Sequence, residues 1–217
     1  MQLTVRLCAA VRDFLHAEVA VMDEYEKALA ALEEHRESDY YNRKTREAES
    51  ERDEGLARAR ASASERLDPI MDAIERRLAD KPIVPPTREM LDTLTLLGMR
   101  RNISADELKQ AATLCSPCPA AIELLREIAA ERGLPLQLAA PKTLSATVAL
   151  EHAATARRTL DTLIYRPSEA IWSAAFLLND DDGHLLGRLC GVWAGRDGQL
   201  SADYVCALRT ALDGNAE

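Results

Sequence analysis

The feature that most constrains this chain is the stretch from Ala17 to Asp80, in which almost nothing interrupts a helix. It contains no proline before Pro69 and only one glycine, Gly55, and it is rich in Ala, Glu, Arg, Leu and Lys, which favour helices. As one helix it would be roughly 95 Å long at about 1.5 Å per residue. An element of that length must pack against partners, fold back into a hairpin or stand in water.

Both ends of this stretch carry apolar residues at the alternating spacings of a coiled-coil seam. Continuing one heptad count from the first set reaches the second. We predict a self-association seam formed by Met22, Tyr25, Leu29, Leu32, Leu67, Met71, Ile74 and Leu78. Between the two sets the seam positions are polar or small, and residues 37–66 mix acidic and basic side chains. That mixture is typical of a solvated helix face held by i,i+4 pairs, or of a binding surface for another copy.

Two interpretations of the stretch are open: one long charged helix, or a helical hairpin. The in-phase seam residues favour a helix that continues through Ser38. Ser38 itself favours a break, because it can N-cap a second helix with Asp39 in its first turn. Pro69 removes an interior hydrogen bond, so we also expect a kink or a restart at Asp68-Pro69.

The composition indicates helices throughout and argues against several functions. Aromatic residues make up only 4% of the 217 residues and β-branched runs are few, so we predict an all-α chain. The formal net charge of −9 argues against general binding of nucleic acid or anionic lipid. No apolar stretch of about 20 residues is present, so we predict no membrane span. Five cysteines without an export signal indicate a cytoplasmic setting.

Prolines and helix caps divide the chain into predicted regions. These are a long helical region at 1–80, a proline-rich linker at 81–86, a three-helix bundle at 87–138 and a C-terminal helical domain at 139–217. We expect Ser104 to cap the second helix of the bundle, with Glu107 completing a capping box. In the C-terminal domain we expect Ser201 to cap the last helix, and Trp172 and Trp193 to build the core.

No constellation of catalytic residues emerges, so we predict a protein that is not an enzyme and has no cofactor and no metal site. Cys115-Ser-Pro-Cys118 has the spacing of a redox pair or half a zinc site, but further ligands are missing nearby. We expect a structural pair, although its position at a helix start predicts a lowered thiol pKa. We expect His152 to be a packed or surface residue.

Residues 20–135 also carry a series of short helical motifs. They are Tyr25-Glu-Lys-Ala-Leu, Tyr40-Tyr41-Asn-Arg-Lys, Arg52-Asp-Glu, Pro86-Thr-Arg-Glu-Met-Leu, Leu96-Leu-Gly-Met-Arg, Ser104-Ala-Asp-Glu-Leu and Ala121-Ile-Glu-Leu-Leu-Arg-Glu-Ile-Ala. Their order resembles small uncharacterised proteins encoded in the structural-gene regions of tailed bacteriophages and prophages. The resemblance implies a virion-assembly setting, in the host cytoplasm or associated with the virion.

These observations predict a non-enzymatic structural or assembly-associated phage protein that acts through helix-mediated association. The expected partner is a second copy or another phage structural protein. One alternative is an acidic regulatory binder of a host nucleic-acid enzyme, suggested by the net charge. The other is a DNA-binding three-helix module, although its third helix offers only Arg126 and Arg132 as basic residues.

Overall fold

The structure, a computed structural model, describes residues 2–33, 39–80, 85–134, 144–165, 174–192 and 198–214. In these ranges every regular element is an α-helix, which confirms the all-α prediction. The helices are α1 (Leu3–Leu32), α2 (Asp39–Ala79), α3 (Arg88–Met99), α4 (Ala105–Cys115), α5 (Pro119–Glu131), α6 (Ala146–Tyr165), α7 (Ala174–Leu178), α8 (Asp182–Leu189) and α9 (Gly198–Asp213). Trp172, Trp193 and residues 81–84 of the predicted linker lie outside the described residues.

The chain divides into two compact units. Unit 1 comprises Met1–Ile74 and Ala154–Cys190, and unit 2 comprises Glu75–Ala153 and Gly191–Glu217. The predicted three-helix bundle lies within unit 2. The region predicted as a C-terminal domain, 139–217, is shared between the units, so this division differs from the predicted one.

In unit 1, α1 and α2 form an antiparallel helical hairpin. Residues lie near each other across it in the pairs Asp13 with Arg66, Glu18 with Arg60, Val21 with Gly55, and Tyr25 with Arg52. The residue numbers on α2 decrease as those on α1 increase, as they do for antiparallel helices. Of the two open interpretations the structure therefore shows the hairpin. Ser38, which favoured a break, lies outside the described residues.

Helix α2 continues through Pro69, so the predicted restart at Asp68-Pro69 is wrong. A proline in a helix interior costs about 3 kcal/mol. On either side of it, Leu67, Ile70 and Met71 are only 2–6% exposed. Burying each such side chain is worth about 1.5–3 kcal/mol, so packing outweighs the cost of the proline.

The core of unit 1 forms at the base of the hairpin. Helix α1 packs against α7 and α8. Arg157 of α6 lies 2.6 Å from Asp72 of α2, and the Tyr165 hydroxyl lies 2.9 Å from that of Ser64, so α6 runs antiparallel to α2. The largest fully buried side chains of this core are Leu7, Leu15, Met71, Ile74, Leu177, Leu185, Leu186 and Leu189.

In unit 2, helices α3, α4 and α5 form a bundle with its own core. Ser104 caps α4, and the reciprocal bonds of Ser104 and Glu107 form the predicted capping box. Pro119 occupies the first turn of α5. The buried residues are Met90, Leu94, Leu97, Ile103, Leu108, Ala111, Cys115, Cys118, Ala121, Ile122, Leu125 and Ala129.

The predicted cap of the last helix is wrong. Helix α9 already includes Gly198, so Ser201 lies inside the helix and does not begin it. A serine in a helix interior costs at most about 0.7 kcal/mol relative to alanine, so it does not stop a helix that can extend further. At its other end, α9 is followed by Gly214, whose φ of 76° is the left-handed conformation of a helix terminus.

Candidate functional site

The outer part of the hairpin, residues 17–32 of α1 and 39–62 of α2, is called the arm below. Among these residues only Ala48 is buried, at 7% exposure, whereas α1 is well buried between Thr4 and Leu15. Two helices can cover each other along one face only, so an arm made of two helices encloses no core. It therefore leaves most of its surface in water.

The inner face of α1 repeats with alternating spacings of three and four residues. It comprises Leu7, Val11, Phe14, Glu18, Val21, Tyr25, Ala28 and Leu32. Leu7, Val11 and Phe14 are buried, and the remaining members, which lie in the arm, are half-buried. The α1 side of the arm thus follows the heptad spacing of a coiled coil.

The inner face of α2 in the arm consists mostly of small or polar residues. The buried or half-buried residues that follow one another at spacings of three and four are Tyr41, Thr45, Ala48, Arg52, Gly55 and Ala59, and Leu56 and Arg60 beside them are also half-buried. Continuing the heptad count of α1 instead reaches polar or small residues, of which Arg60 is half-buried and the others in the arm are exposed: Asp39, Arg43, Arg46, Ser50, Asp53 and Ala57. The inner face of α2 in the arm therefore has a phase of its own, because α2 turns back on α1. Small residues at three- and four-residue spacings around Gly55 were the signal in the sequence.

Gly55 sets how closely the two helices of the arm approach. A Cβ atom at this position would lie 3.0 Å from Val21 Cγ1 and 3.1 Å from Val21 Cγ2. Contacts that short force the valine to move. The single glycine of the predicted long helix is thus a contact point between α1 and α2.

Polar contacts, each with an arginine of α2, connect the two helices. Arg66 Nη2 lies 2.5 Å from Asp13 Oδ2 at the base of the arm. Arg52 lies over the ring of Tyr25, with its Cζ atom 4.7 Å from the ring centroid, a cation–π contact. Burial raises the pKa of Glu18, and the nearby Arg60 lowers it in part. Because each contact joins one particular pair, together they fix the register of the hairpin.

The eight residues of the predicted self-association seam fall into two groups. Leu67, Met71, Ile74 and Leu78 are 0–2% exposed, so they pack within the chain. Tyr25 and Leu32 lie on the inner face of α1, Leu29 is half-buried beside it, and Met22 is 36% exposed. Self-association through this seam stays a prediction, and only its α1 half lies near the surface.

The structure places the Cys115–Cys118 pair in the core of the bundle. Both thiols are enclosed, and Cys118 N donates a hydrogen bond to Cys115 O at 2.9 Å. Burial raises the pKa of Cys115, and the neighbouring Cys118 raises it further. The predicted lowering is wrong for Cys115, because the thiolate loses more by desolvation than it gains near a helix start. A protonated, enclosed thiol is a poor nucleophile.

Sequence reasoning missed that Cys8 and Cys190, both buried in unit 1, lie near each other. Cys8 Sγ lies 3.5 Å from the carbonyl oxygen of Asp182, next to the start of α8. Burial, with a smaller effect of Cys8, raises the pKa of Cys190 to about 12. No spacing motif could have found two residues so far apart in the chain. No cluster of three or more metal-ligating side chains occurs within the described ranges.

Two further side chains considered above have contacts within unit 2. His152 Nε2 lies 2.8 Å from the Tyr204 hydroxyl, and the two rings meet edge to face. This contact fits the interpretation of His152 as a packed residue. On α5, Arg132 Nη2 donates to the carbonyl oxygen of Gly98 at 2.6 Å. One of the two basic residues that could have contacted DNA is thus engaged within the bundle.

The outward face of α2 carries a shallow depression of about 530 Å³ near the start of the helix. Its lining residues are Asp39, Asn42, Arg43, Arg46, Glu47 and Ser50. All of them are polar and belong to one helix, so the depression is an open groove along a charged face. It lacks the apolar walls that small-molecule sites use.

Comparison of the chain with protein-family models, with curated proteins and with solved structures gives no match. The resemblance to phage proteins therefore stays a prediction. No helix in the described part combines the length and the apolarity needed to cross a bilayer. The geometry leaves the arm as the feature of the described residues that calls for a functional explanation.

Proposed function

We propose that this protein is a non-enzymatic association protein and that the arm is its interaction element. The observation that carries the proposal is that the arm buries a single residue, Ala48, over two long helices. Specific polar and aromatic contacts nevertheless fix its register. A two-helix arm held in one register presents a defined surface. The arm has no enclosed core to stabilise it on its own. Contact with a further helix would supply that burial.

The charge distribution fits a protein partner. The arm surface alternates acidic and basic residues along α2, and most of its exposed side chains are charged or small. Interfaces formed through such surfaces gain specificity and association rate from charge complementarity. Within the proposal, the setting is the assembly of a tailed phage or prophage in the host cytoplasm. The sequence resemblance supports that setting, and the partner is a second copy or another structural protein.

The proposal predicts that disrupting the arm abolishes association while the bundle stays folded. Gly55→Val would introduce a branched side chain against Val21, whereas a Cβ atom at Gly98 would meet nothing within 4 Å apart from its chain neighbours and its own helix backbone. We expect the wild-type chain and the Gly98→Val variant to associate, either with a second copy or, on co-expression, with the product of an adjacent gene. The Gly55→Val variant should not associate. Light scattering after size exclusion measures this. Association of Gly55→Val at wild-type strength, or no association of the wild-type chain with any of these partners, would contradict the proposal.

The structure adds no specific observation in favour of the two alternatives. An acidic binder of a host nucleic-acid enzyme and a DNA-binding bundle both stay predictions from the sequence.

A further inference from the structure

The outward face of α2 in the arm is self-complementary in charge. Arg43, Arg46, Ser50, Asp53 and Glu54 follow one another at spacings that place them on one side of the helix, and all five are exposed. Two basic residues thus precede a small central serine, and two acidic residues follow it. Reversing the direction of this face exchanges its basic half for its acidic half.

Part of this charge has no counterpart within the chain. Lys44 pairs with Glu47, and Arg52 lies 2.7 Å from Asp53. Arg46 and Glu54, by contrast, form no ion pair with any residue in the described part of the chain. The face therefore carries a cation and an anion, about two helical turns apart, that are not matched to each other.

We infer that two copies of this chain pair through the outward faces of α2, antiparallel and centred on Ser50. This inference rests on the proposed function of the arm and names its partner. In that arrangement Arg46 of each copy lies opposite Glu54 of the other, and Arg43 and Asp53 lie within about one helical turn of that pair. A parallel arrangement would place like charges opposite each other, which destabilises an interface.

The side chains at the centre permit close contact. Ser50 lies at the midpoint and exposed Ala57 lies two turns further along the same face, so the helices can approach without displacing bulky groups. Glu47 is the one residue that this arrangement brings near a like charge, Asp53 of the second copy. Its charge is offset by the ion pair with Lys44.

The expected contact is weak and depends on salt. Residues 43–57 of one helix span about 20 Å, and a contact of that length is smaller than the roughly 1,200 Å² of a stable interface. Exposed ion pairs are screened within about 10 Å at 0.1 M salt. We therefore expect a dissociation constant of about 10–100 µM at low salt, and a monomer at about 0.5 M salt.

Charge exchange tests this inference on the full-length chain. In Arg43→Glu with Arg46→Glu the face becomes wholly acidic, and in Asp53→Arg with Glu54→Arg it becomes wholly basic. We expect each variant alone to be monomeric in sedimentation equilibrium at low salt, and an equimolar mixture to recover the dimer mass. The control is Arg88→Glu with Arg101→Glu, which changes the net charge as the first variant does but leaves the arm unchanged, and it should dimerise as the wild type does.

Each other outcome overturns the inference. A wild-type chain that is monomeric at low salt and about 100 µM, variants that dimerise alone, or a mixture that stays monomeric would each do so. The mixture distinguishes a loss of charge complementarity from misfolding, because a dimer can form in it only if both variants are folded. Circular dichroism checks the helix content of each variant. If the chain associates and Gly55→Val abolishes this while the charge variants do not, only this inference fails. If the chain associates with no partner, the proposed function fails as well.

Discussion

The arm and the three-helix bundle are built from similar helix-forming sequence, yet they are stabilised differently. The bundle of α3, α4 and α5 buries twelve residues, most of them aliphatic, around one core. The arm is of similar length and buries only Ala48. Three packed helices can surround a core and two cannot. The number of helices therefore decides whether apolar side chains become buried.

Because of this difference, different interactions determine the helix arrangement in each region. In the bundle, the volume of buried side chains and the caps at Thr87 and Ser104 determine the arrangement. In the arm, arginine contacts and the close approach at Gly55 determine it. Substitutions that remove volume should therefore damage the bundle most, and substitutions that alter contact geometry should damage the arm.

The largest expected effect is the loss of buried volume in the bundle. Leu125 is fully buried, and Leu125→Ala should reduce the free energy of unfolding by about 2–5 kcal/mol, because it removes apolar contacts and leaves a cavity. Leu29→Ala in the arm should cost less than about 1.5 kcal/mol, because Leu29 is only half-buried. Urea denaturation measures both changes. Equal losses of unfolding free energy in the two variants would show that the arm has a core packed as well as that of the bundle.

The next effect concerns helix approach in the arm. Gly55→Val should destabilise the arm by about 1–3 kcal/mol, because the new side chain overlaps with Val21. Hydrogen exchange of the peptides covering 17–32 and 39–62 should accelerate. Gly98→Val makes the same change in helix α3, where nothing lies within 4 Å, and should lack this packing cost. Unchanged exchange in the Gly55 variant would mean that the helices can separate slightly without loss.

A smaller effect is expected from helix capping. Ser104 accepts a hydrogen bond from the backbone N–H of Glu107, and Ser104→Ala should cost about 1 kcal/mol of bundle stability. Ser62→Ala in the arm changes an exposed serine within α2 and should stay within about 0.5 kcal/mol. Thermal unfolding of the two variants compares them. A loss for Ser62→Ala as large as that for Ser104→Ala would show that the arm depends on hydroxyl contacts.

The smallest effect is the dependence on pH, whose sign should differ between the two regions. Burial raises the pKa of Glu18 above 4.5, so the cost of its charge is fully present at neutral pH and is relieved as the pH falls through the raised value. Hydrogen bonds from Ser104 and Arg100 lower the pKa of Glu107 below 4.5. The stability from Glu107 is therefore fully present above pH 4.5 and is lost as the pH falls through the lowered value.

Between neutral pH and pH 4.5 the arm should thus tighten, and below pH 4.5 the bundle should loosen. Hydrogen exchange corrected for intrinsic rates resolves the two regions. Glu18→Gln is the control, since it should remove the pH response of the arm above pH 4.5 and leave that of the bundle. An arm that loosens steadily over the same range would contradict the assignment to Glu18.

Features that depend on neighbours in the sequence were predictable. The capping box at Ser104 and Glu107 and the all-α class are confirmed. Each follows from a preference that acts over a few residues. The predicted restart at Pro69 and the predicted cap at Ser201 were wrong because the local cost of those residues is smaller than what packing or helix extension gains.

The candidate site was only partly predictable. The charged helices that form the arm were expected, and the hairpin was one of two open interpretations. The heptad count did not identify the inner face of α2 in the arm, because α2 turns back on α1 and has a phase of its own there. The spacing of small residues such as Ala48 and Gly55 indicates a helix contact face only weakly. It can be recognised as one only when α1 is known to lie against it.

The sequence by itself determined the all-α class, the start of α4 at its capping box, and that charge dominates the surface of the long helices. These properties follow from backbone propensity, caps and composition, which act locally. Only the tertiary structure decided that α2 returns along α1, that Leu67, Met71 and Ile74 pack inside unit 1, and that Cys8 lies near Cys190. The physical reason is that such contacts are sums of many weak interactions between residues far apart in the chain, and the spacing of residues along one helix does not encode which other helix will cover it.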